Sequence, residues 1–136
     1  MIFWFKRRGE HDLPRFPETV IPTFKMLCEA IPVDEVPDLL DAVDQNFREM
    51  QKAKQENERI DVQGAKQLAE RCHFLLERYE AFTEEEQALV IGAVRYFAIA
   101  EDPYDDELFA TGLFDDKKVM NYVLHRLGLD DHLLHL

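Results

Sequence analysis

The chain has 136 residues, with 28 acidic side chains against 16 Lys or Arg, so its formal net charge is -12. A hydrophobic content of 46% is too high for a disordered chain, and the length is that of one domain. The acid excess argues against nucleic-acid binding and against general adhesion to an anionic membrane, because both need exposed Lys and Arg. No apolar run approaches the ~20 residues of a bilayer-spanning helix.

The first 18 residues are predicted to form an irregular segment rich in aromatic and basic residues. Residues 1–5 are apolar (MIFWF) and residues 6–8 are basic (KRR), the reverse of the order in a secretory signal. One interpretation is a peripheral membrane anchor, with the aromatic rings in the interface and the basic groups on lipid phosphates. The alternative is that the aromatic residues pack into a groove on the same domain or on a neighbouring copy.

The chain contains two cysteines, Cys28 and Cys72, each inside an apolar helical pattern. A Cys28–Cys72 disulfide is compatible with the sequence, but small secreted domains usually carry several bridges. Two buried thiols in a reducing compartment are the simpler interpretation. The cysteines therefore predict a cytoplasmic protein.

Apolar residues recur at helical spacing throughout the chain, and no period-two alternation indicates a strand. A first helix is predicted from about Thr19 to Ala30. A second helix has Asp34 as its N-cap and Pro37 in its first turn, and its apolar positions recur as far as Met50. The polar residues 51–59 either extend this helix into solvent or end it in a loop.

The third and fourth helices have the clearest boundaries in the sequence. Asp61 is a good N-cap for a third helix running to about Phe82. Thr83 and Glu86 have the spacing of a capping box, which starts a fourth helix over about residues 84–100. Because this helix is apolar almost all round, we expect it to lie at the centre of the fold, wrapped by the others.

A last helix follows an irregular stretch from Glu101 to Phe114. Asp115 or Asp116 is the predicted N-cap, the helix runs to about Leu127, and Gly128 is placed to stop it.

The C-terminal tail and the five helices together define the expected fold. The tail over residues 130–136 should add one turn and pack back through three leucines: Leu133, Leu134 and Leu136. The sequence therefore predicts an all-α fold, a compact single-domain bundle of about five helices over residues 1–136 around the central apolar helix.

The acidic charge is concentrated between Thr83 and Asp116, where ten acids accompany one base, Arg95. Helix capping explains the acids at the starts of helices, but negative charge after the carboxyl end of the fourth helix is disfavoured by its dipole. Five acids are in that position: Glu101, Asp102, Asp105, Asp106 and Glu107. A cation, a basic partner or the nearby side chains Arg95, Lys117 and Lys118 should offset their repulsion.

Carboxylates from this acidic stretch are candidate ligands for a divalent cation. The set is Asp102, Asp105, Asp115 and Asp116, which could offer oxygen atoms to Ca²⁺ or Mg²⁺, although the spacing is not that of an EF-hand. His132 and His135 are close in sequence, but leucines interleave them and no zinc motif is present, so a solvated tail is the preferred interpretation.

Other catalytic chemistry has little support in the sequence. The chain has no serine, which excludes serine hydrolase mechanisms, and its five glycines are scattered and form no phosphate-binding loop.

The run from Ala93 to Leu129, AVRYFAIAEDPYDDELFATGLFDDKKVMNYVLHRLGL, resembles the YkvA-like helical domain, a bacterial family of unknown function. The matching residues are Tyr96, Phe97, Asp102, Pro103, Asp105, Gly112, Phe114, Asp115, Asp116 and Val119. The resemblance implies a helical fold with an acidic corner of caps and turns, and it implies no activity. The segment 104–108 (YDDEL), which contains three acids, replaces a more apolar, proline-containing loop of the family, and this departure argues against a membrane-proximal role.

We predict a non-enzymatic, cytoplasmic interaction or regulatory module whose acidic corner docks a basic protein partner. The predicted contact residues are Glu101, Asp105, Asp106 and Glu107, because a strongly anionic segment steers a basic partner at long range. One alternative is a carboxylate-based divalent-metal-binding protein or metal-assisted hydrolase. A second is a peripheral membrane protein attached through residues 1–8. The oligomeric state stays open.

Overall fold

The computed structural model describes residues 20–98 and 113–136 of the chain. Within these ranges the elements are five α-helices and three short 3-10 turns, and no strand is present. The helices are α1 (Val20–Leu27), α2 (Val36–Lys54), α3 (Val62–Glu77), α4 (Glu84–Ala98) and α5 (Phe114–Arg126). The turns are Val33–Glu35, Tyr79–Ala81 and Asp130–His132. The all-α prediction is confirmed.

Helix α4 is the central element of the bundle, as its composition predicts. It packs against each of the other four helices. Its buried residues lie on all sides: Leu89, Val90, Ile91, Gly92, Ala93, Val94, Tyr96, Phe97 and Ala98. A helix that is apolar all round is stable only when neighbouring helices remove every face from water.

A buried polar contact joins the end of α4 to α2. Asn46 is 5% exposed, and its Nδ2 donates a hydrogen bond of 3.0 Å to the carbonyl oxygen of Phe97. A side chain from a neighbouring helix thus bonds a main-chain carbonyl close to the end of the described part of α4. The polar residue on the otherwise apolar side of α2 is thereby explained.

Helices α1 and α4 approach closely at Gly92. A Cβ atom built on Gly92 would lie 2.3 Å from the Sγ of Cys28 and 2.8 Å from the Cε1 of Phe24. Only glycine leaves room for both side chains at this crossing. Three residues further along α4, Arg95 donates to the carbonyl of Leu27 at 3.3 Å and contacts the carboxylate of Glu29 at 3.2 Å. Arg95, the one basic residue of α4, therefore caps the carboxyl end of α1. Helix α1 ends at Leu27, three residues before its predicted end at Ala30.

Two predicted helix starts are confirmed by their side-chain hydrogen bonds. The Oδ1 of Asp61 accepts from the backbone N–H of Gly64 at 2.8 Å, as an N-cap does. In the capping box, Glu86 Oε1 accepts from the N–H of Thr83 at 2.9 Å, and Thr83 Oγ1 accepts from the N–H of Glu86 at 3.2 Å.

The predicted end of α3 at Phe82 is wrong. The helix ends at Glu77, and the chain continues through the 3-10 turn Tyr79–Ala81. The side chain of Gln87 donates to the Tyr79 carbonyl at 2.9 Å, which satisfies an oxygen that a continuing helix would use. The apolar periodicity runs through this turn because Tyr79 and Phe82 still face the core.

The predicted caps of α2 and α5 are also wrong. Asp34 lies inside the 3-10 turn that leads into α2 and makes no capping hydrogen bond. Pro37 in the first turn of α2 has no N–H, so one donor fewer needs a partner there. In α5, Leu113 occupies the N-cap position, and Asp115 and Asp116 lie within the first turn, where the helix dipole favours their charge.

Helix α2 continues as helix to Lys54, and a loop then leads to α3. The ammonium of Lys54 donates to the carbonyls of Glu58 at 2.7 Å and Ile60 at 3.2 Å, which holds this loop against the helix end. In the polar stretch 51–59, residues 51–54 therefore extend α2, and residues 55–59 belong to the loop.

The end of α5 has the geometry predicted for a glycine stop. Gly128 has a φ of 74°, the left-handed conformation that glycine adopts at little cost. Its N–H bonds the carbonyl of His125 at 3.0 Å, and the N–H of Leu129 bonds the carbonyl of Leu124 at 2.8 Å, the paired bonds of a Schellman motif.

The tail after α5 packs back through one leucine of the three predicted. Leu134 is 6% exposed, and its backbone N–H and carbonyl both bond the side chain of Asn121. Leu133 and Leu136 are 42% and 62% exposed, so their predicted burial is wrong. The two hydrogen bonds of Asn121 hold the backbone at Leu134 against α5, so this leucine is the buried one of the three.

Candidate functional site

A groove with a volume of about 630 Å³ lies where the start of α2 meets the end of α3 and the turn after it. Apolar side chains form much of its surface: Val33, Val36, Pro37, Leu76, Tyr79 and Ala81. Its charged lining residues are Glu77, Arg78 and Glu80. Together with the neighbouring carboxylates Asp34, Glu35 and Asp38, we call these residues the acidic groove.

Tyr79 holds the two walls of the acidic groove together. Its side chain is buried, and its hydroxyl accepts a hydrogen bond from the N–H of Ile31 and donates one to the carbonyl of Ile31, each at 2.7 Å. Ile31 belongs to the segment that leads into the 3-10 turn before α2, whereas Tyr79 follows α3. One hydroxyl therefore fixes the entry to α2 against the exit from α3.

Two exposed carboxylates, Glu77 and Glu80, line the groove. Three more exposed carboxylates are next to its lining residues in the chain: Asp34, Glu35 and Asp38. Arg78 is the single base among the lining residues; it lies 4.0 Å from the Glu77 carboxylate, and its guanidinium also stacks on the Phe74 ring at 3.8 Å. Exposed pairs of this kind contribute little binding energy, so much of the negative potential of the groove remains available to a partner.

Helix dipoles explain only part of this charge. Acids at the amino end of α2 are stabilised by the positive end of its dipole. Glu77 and Glu80 lie at the carboxyl end of α3, where negative charge is disfavoured, and the last turn of α3 contains no basic residue. Arg78, the C-cap residue of α3, offsets part of this unfavourable interaction, and a bound cationic group would offset more of it.

A second groove, of about 450 Å³, lies between α2 and α3. Its central feature is a hydrogen bond of 2.7 Å between His73 Nε2 and Asp44 Oδ1, set beside Phe47 and Phe74. A histidine held by a carboxylate is an arrangement found in general bases, but the lining residues contain no hydroxyl or thiol to activate. Charges of both signs line the groove, so it selects no single class of ligand.

The structure does not place the predicted partner-binding residues. Glu101, Asp105, Asp106 and Glu107 lie outside the described residues, as does the predicted metal ligand Asp102. The N-terminal residues 1–8 also lie outside them.

The described part of the Thr83–Asp116 segment is divided between two places in the fold. Glu84 begins α4, which follows the turn at the end of α3. Asp115 and Asp116 precede Lys117, whose ammonium lies 3.3 Å from the carboxylate of Asp61 at the start of α3. Since α3 has 16 residues, these two places are separated by about 24 Å of helix. The acids at both places lie in the first turn of a helix, as the sequence predicts, and the predicted acidic corner at residues 101–107 lies outside the described residues.

Of the two described members of the predicted metal set, Asp116 is the buried one. It is 3% exposed, whereas Asp115 is half-buried. Its charge lies close enough to Cys72 to raise the pKa of that thiol, in addition to the larger increase caused by burial.

Within residues 20–98 and 113–136, no three His, Cys, Asp or Glu side chains come together as a metal site requires. The four-carboxylate metal site stays a prediction, because two of its members are not described. His132 stacks on Phe74 with ring centres 4.2 Å apart, and His125 bonds Asp130 at 2.9 Å.

Both cysteines are free thiols. Burial raises the pKa of Cys28 to about 12, against an opposing effect of the Arg95 charge. Burial also raises the pKa of Cys72, which is completely enclosed. Neither thiol forms an appreciable amount of thiolate at neutral pH, so neither is an activated nucleophile.

The acidic groove was not identified from the sequence, because its walls come from residues 33–38 and 76–81. The available signal was the run of acids Asp34, Glu35, Asp38 and Asp41, which contains no base. That signal could not indicate that Glu77 and Glu80 join the same surface, since this depends on the antiparallel packing of α2 and α3 and on the contact between Tyr79 and Ile31.

Comparison of the chain with family models, with characterised proteins and with solved structures found no match. Among the helices of the described ranges, none is both long enough and apolar enough to cross a membrane.

Proposed function

We propose that this protein is a non-enzymatic interaction module that binds a basic protein segment in the acidic groove. The observation that supports the proposal is the meeting of two chain segments, 33–38 and 76–81, around an apolar surface, because these segments together carry five exposed carboxylates and one arginine. Segment 33–38 contributes three acids and three apolar residues, and segment 76–81 adds the facing wall with Leu76, Tyr79 and two more acids.

The apolar and charged parts of the groove have different roles in this proposal. An apolar side chain of the partner enters beside Val33 and Pro37, and burying one such side chain contributes about 1.5–3 kcal/mol. The carboxylates accelerate the encounter with a basic segment and set its orientation. Because these charges are exposed, the attraction falls as salt shortens its range to about 8 Å at physiological ionic strength.

Three further expectations belong to this proposal. Glu101, Asp105, Asp106 and Glu107 are retained as a second contact for the partner. We also propose a cytoplasmic location, supported by the two free thiols. The YkvA-like resemblance stays a prediction that is consistent with the helical fold and adds no activity.

Calorimetric titration with a tryptophan-free peptide of alternating Lys and Leu tests the groove. Two variants remove the same charge: Glu35→Gln/Glu80→Gln at the groove and Glu56→Gln/Glu58→Gln in the loop after α2. We expect the groove variant to weaken binding by about tenfold, about 0.7 kcal/mol for each carboxylate, and the loop variant to have little effect. Raising the salt concentration should weaken binding to the parent protein and reduce the difference between the variants.

A third variant, Asp105→Asn/Asp106→Asn/Glu107→Gln, tests the second contact. If this variant alone weakens binding, the partner binds the 101–107 segment and the groove proposal is wrong. Binding that is insensitive to salt, or equally weakened by the groove and loop variants, would also contradict it.

A further inference from the structure

We propose that the acidic groove has an occupant within the same chain, the N-terminal segment of residues 1–8. This inference rests on the proposed function, because it assigns the groove a regulated state in which the segment competes with the basic partner. The segment has the sequence MIFWFKRR, five apolar residues followed by three bases. That combination is what an apolar groove bordered by carboxylates would bind.

The charges of segment and groove are complementary. Residues 6–8 carry three positive charges. The five carboxylates of the groove and Arg78 leave it with a surplus of four negative charges. The first five residues supply the aromatic and aliphatic side chains for the apolar lining, while the bases that follow lie against the rim.

The chain is long enough to make this contact. Helix α1 begins at Val20 and has eight residues, so it spans about 12 Å. Residues 28–31 add at most about 14 Å, and Ile31 is bonded to Tyr79 in the groove. The groove is thus within about 26 Å of Val20, whereas residues 9–19 can extend to about 36 Å.

Attachment to the same chain favours this occupant over other sites for residues 1–8. A short connection gives a segment an effective concentration in the millimolar range, far above that of a second copy in solution. An anionic membrane would have to bind the same three bases against the net charge of -12. The groove offers both an apolar surface and opposite charge. It belongs to the same chain, and binding to it does not bring the acidic protein close to an anionic membrane.

Trp4 provides a direct measurement, because it is the single tryptophan of the chain. Excitation at the red edge of the tyrosine absorption reports Trp4 alone. In the parent protein we expect blue-shifted emission and protection from quenching by acrylamide. The variants Glu35→Gln/Glu80→Gln and Arg7→Gln/Arg8→Gln should shift the emission to the red and increase the quenching severalfold, and the matched loop variant Glu56→Gln/Glu58→Gln should not.

Several results would overturn the inference. Trp4 that is fully quenched in the parent protein, or equally protected in every variant, does not lie in the groove. Protection that grows with protein concentration indicates a second copy as the binding partner. Protection that appears only on addition of phosphatidylserine vesicles indicates the membrane.

Removal of residues 1–8 separates this inference from the proposed function. If the segment occupies the groove, the shortened chain binds the Lys–Leu peptide severalfold more tightly than the full chain. If the groove variants weaken peptide binding while neither Trp4 nor the truncation responds, the inference is wrong and the proposed function stands. If the peptide binds neither the full nor the shortened chain, both are wrong.

Discussion

Replacing Tyr79 by phenylalanine tests how the two walls of the acidic groove are held together. The substitution keeps the ring in the core and removes the hydroxyl that bonds both the N–H and the carbonyl of Ile31 at 2.7 Å. Each such bond contributes about 0.5–1.5 kcal/mol net. Since Ile31 is only partly buried, water replaces part of what is lost, and we expect a decrease of about 1.5 kcal/mol in the free energy of unfolding.

That decrease corresponds to a measurable change in melting temperature. At about 2.1 cal/mol/K for each of the 136 residues, the unfolding entropy is roughly 0.29 kcal/mol/K, so the midpoint should fall by about 5 °C. Urea unfolding followed by circular dichroism gives the free energy and its denaturant dependence. The control is Tyr122→Phe, which removes a hydroxyl that accepts from Arg126 on its own helix at 2.6 Å. The reasoning is refuted if Tyr79→Phe costs no more than Tyr122→Phe.

Four further predictions concern the packing of the bundle and one thiol. Gly92→Ala should lower the free energy of unfolding by about 1–2 kcal/mol, because overpacking against Cys28 exceeds the gain in helix propensity; equal or greater stability in urea would show that α1 moves aside. Asn46→Ala should cost about 1–3 kcal/mol by leaving the carbonyl of Phe97 without its buried donor, and a thermal midpoint like that of the parent would contradict this. Gly128→Ala should cost about 1 kcal/mol, since its φ of 74° is strained for alanine, and unchanged urea unfolding would disprove the strain. Burial raises the pKa of Cys28 to about 12, so this thiol should be alkylated far more slowly in native than in unfolded protein at pH 8, and similar rates would show that the native thiol is not desolvated.

The architecture was predictable because it follows from periodicity and capping. The apolar residues of α4 occupy every face of the helix, so this helix must lie at the centre of the bundle. The caps at Asp61 and Thr83 involve residues only three positions away in the sequence. Gly128 was equally predictable, since a glycine after an amphipathic run meets the requirement for a positive φ at a helix end.

The errors occur where a distant contact overrides a local preference. The apolar stripe of α3 continues to Phe82, but the contacts of Tyr79 with Ile31 and Gln87 turn the chain at residues 79–81. Asp116 has the sequence of a cap, yet it is buried within the first turn of α5. The local sequence around residues 79 and 116 does not show which distant parts of the chain these residues contact.

The candidate site was the least predictable feature for a related reason. A run of acids is visible in a sequence, but a surface is defined by which runs the fold brings together. Acids near Glu84 and near Asp116 belong to one acidic stretch of the sequence, yet they lie toward opposite ends of α3. Those at residues 34–38 and 77–80 belong to separate stretches, yet they lie in or next to the walls of one groove.

Chemical-shift mapping of the backbone amides tests most directly whether the acidic groove binds a basic segment. The measurement titrates the full chain with the Lys–Leu peptide and follows every resolved amide. We expect saturable changes that are largest over residues 33–38 and 76–81 and that need more peptide to saturate at high salt. Changes centred on the loop around residues 56–58, or none that saturate, would contradict it.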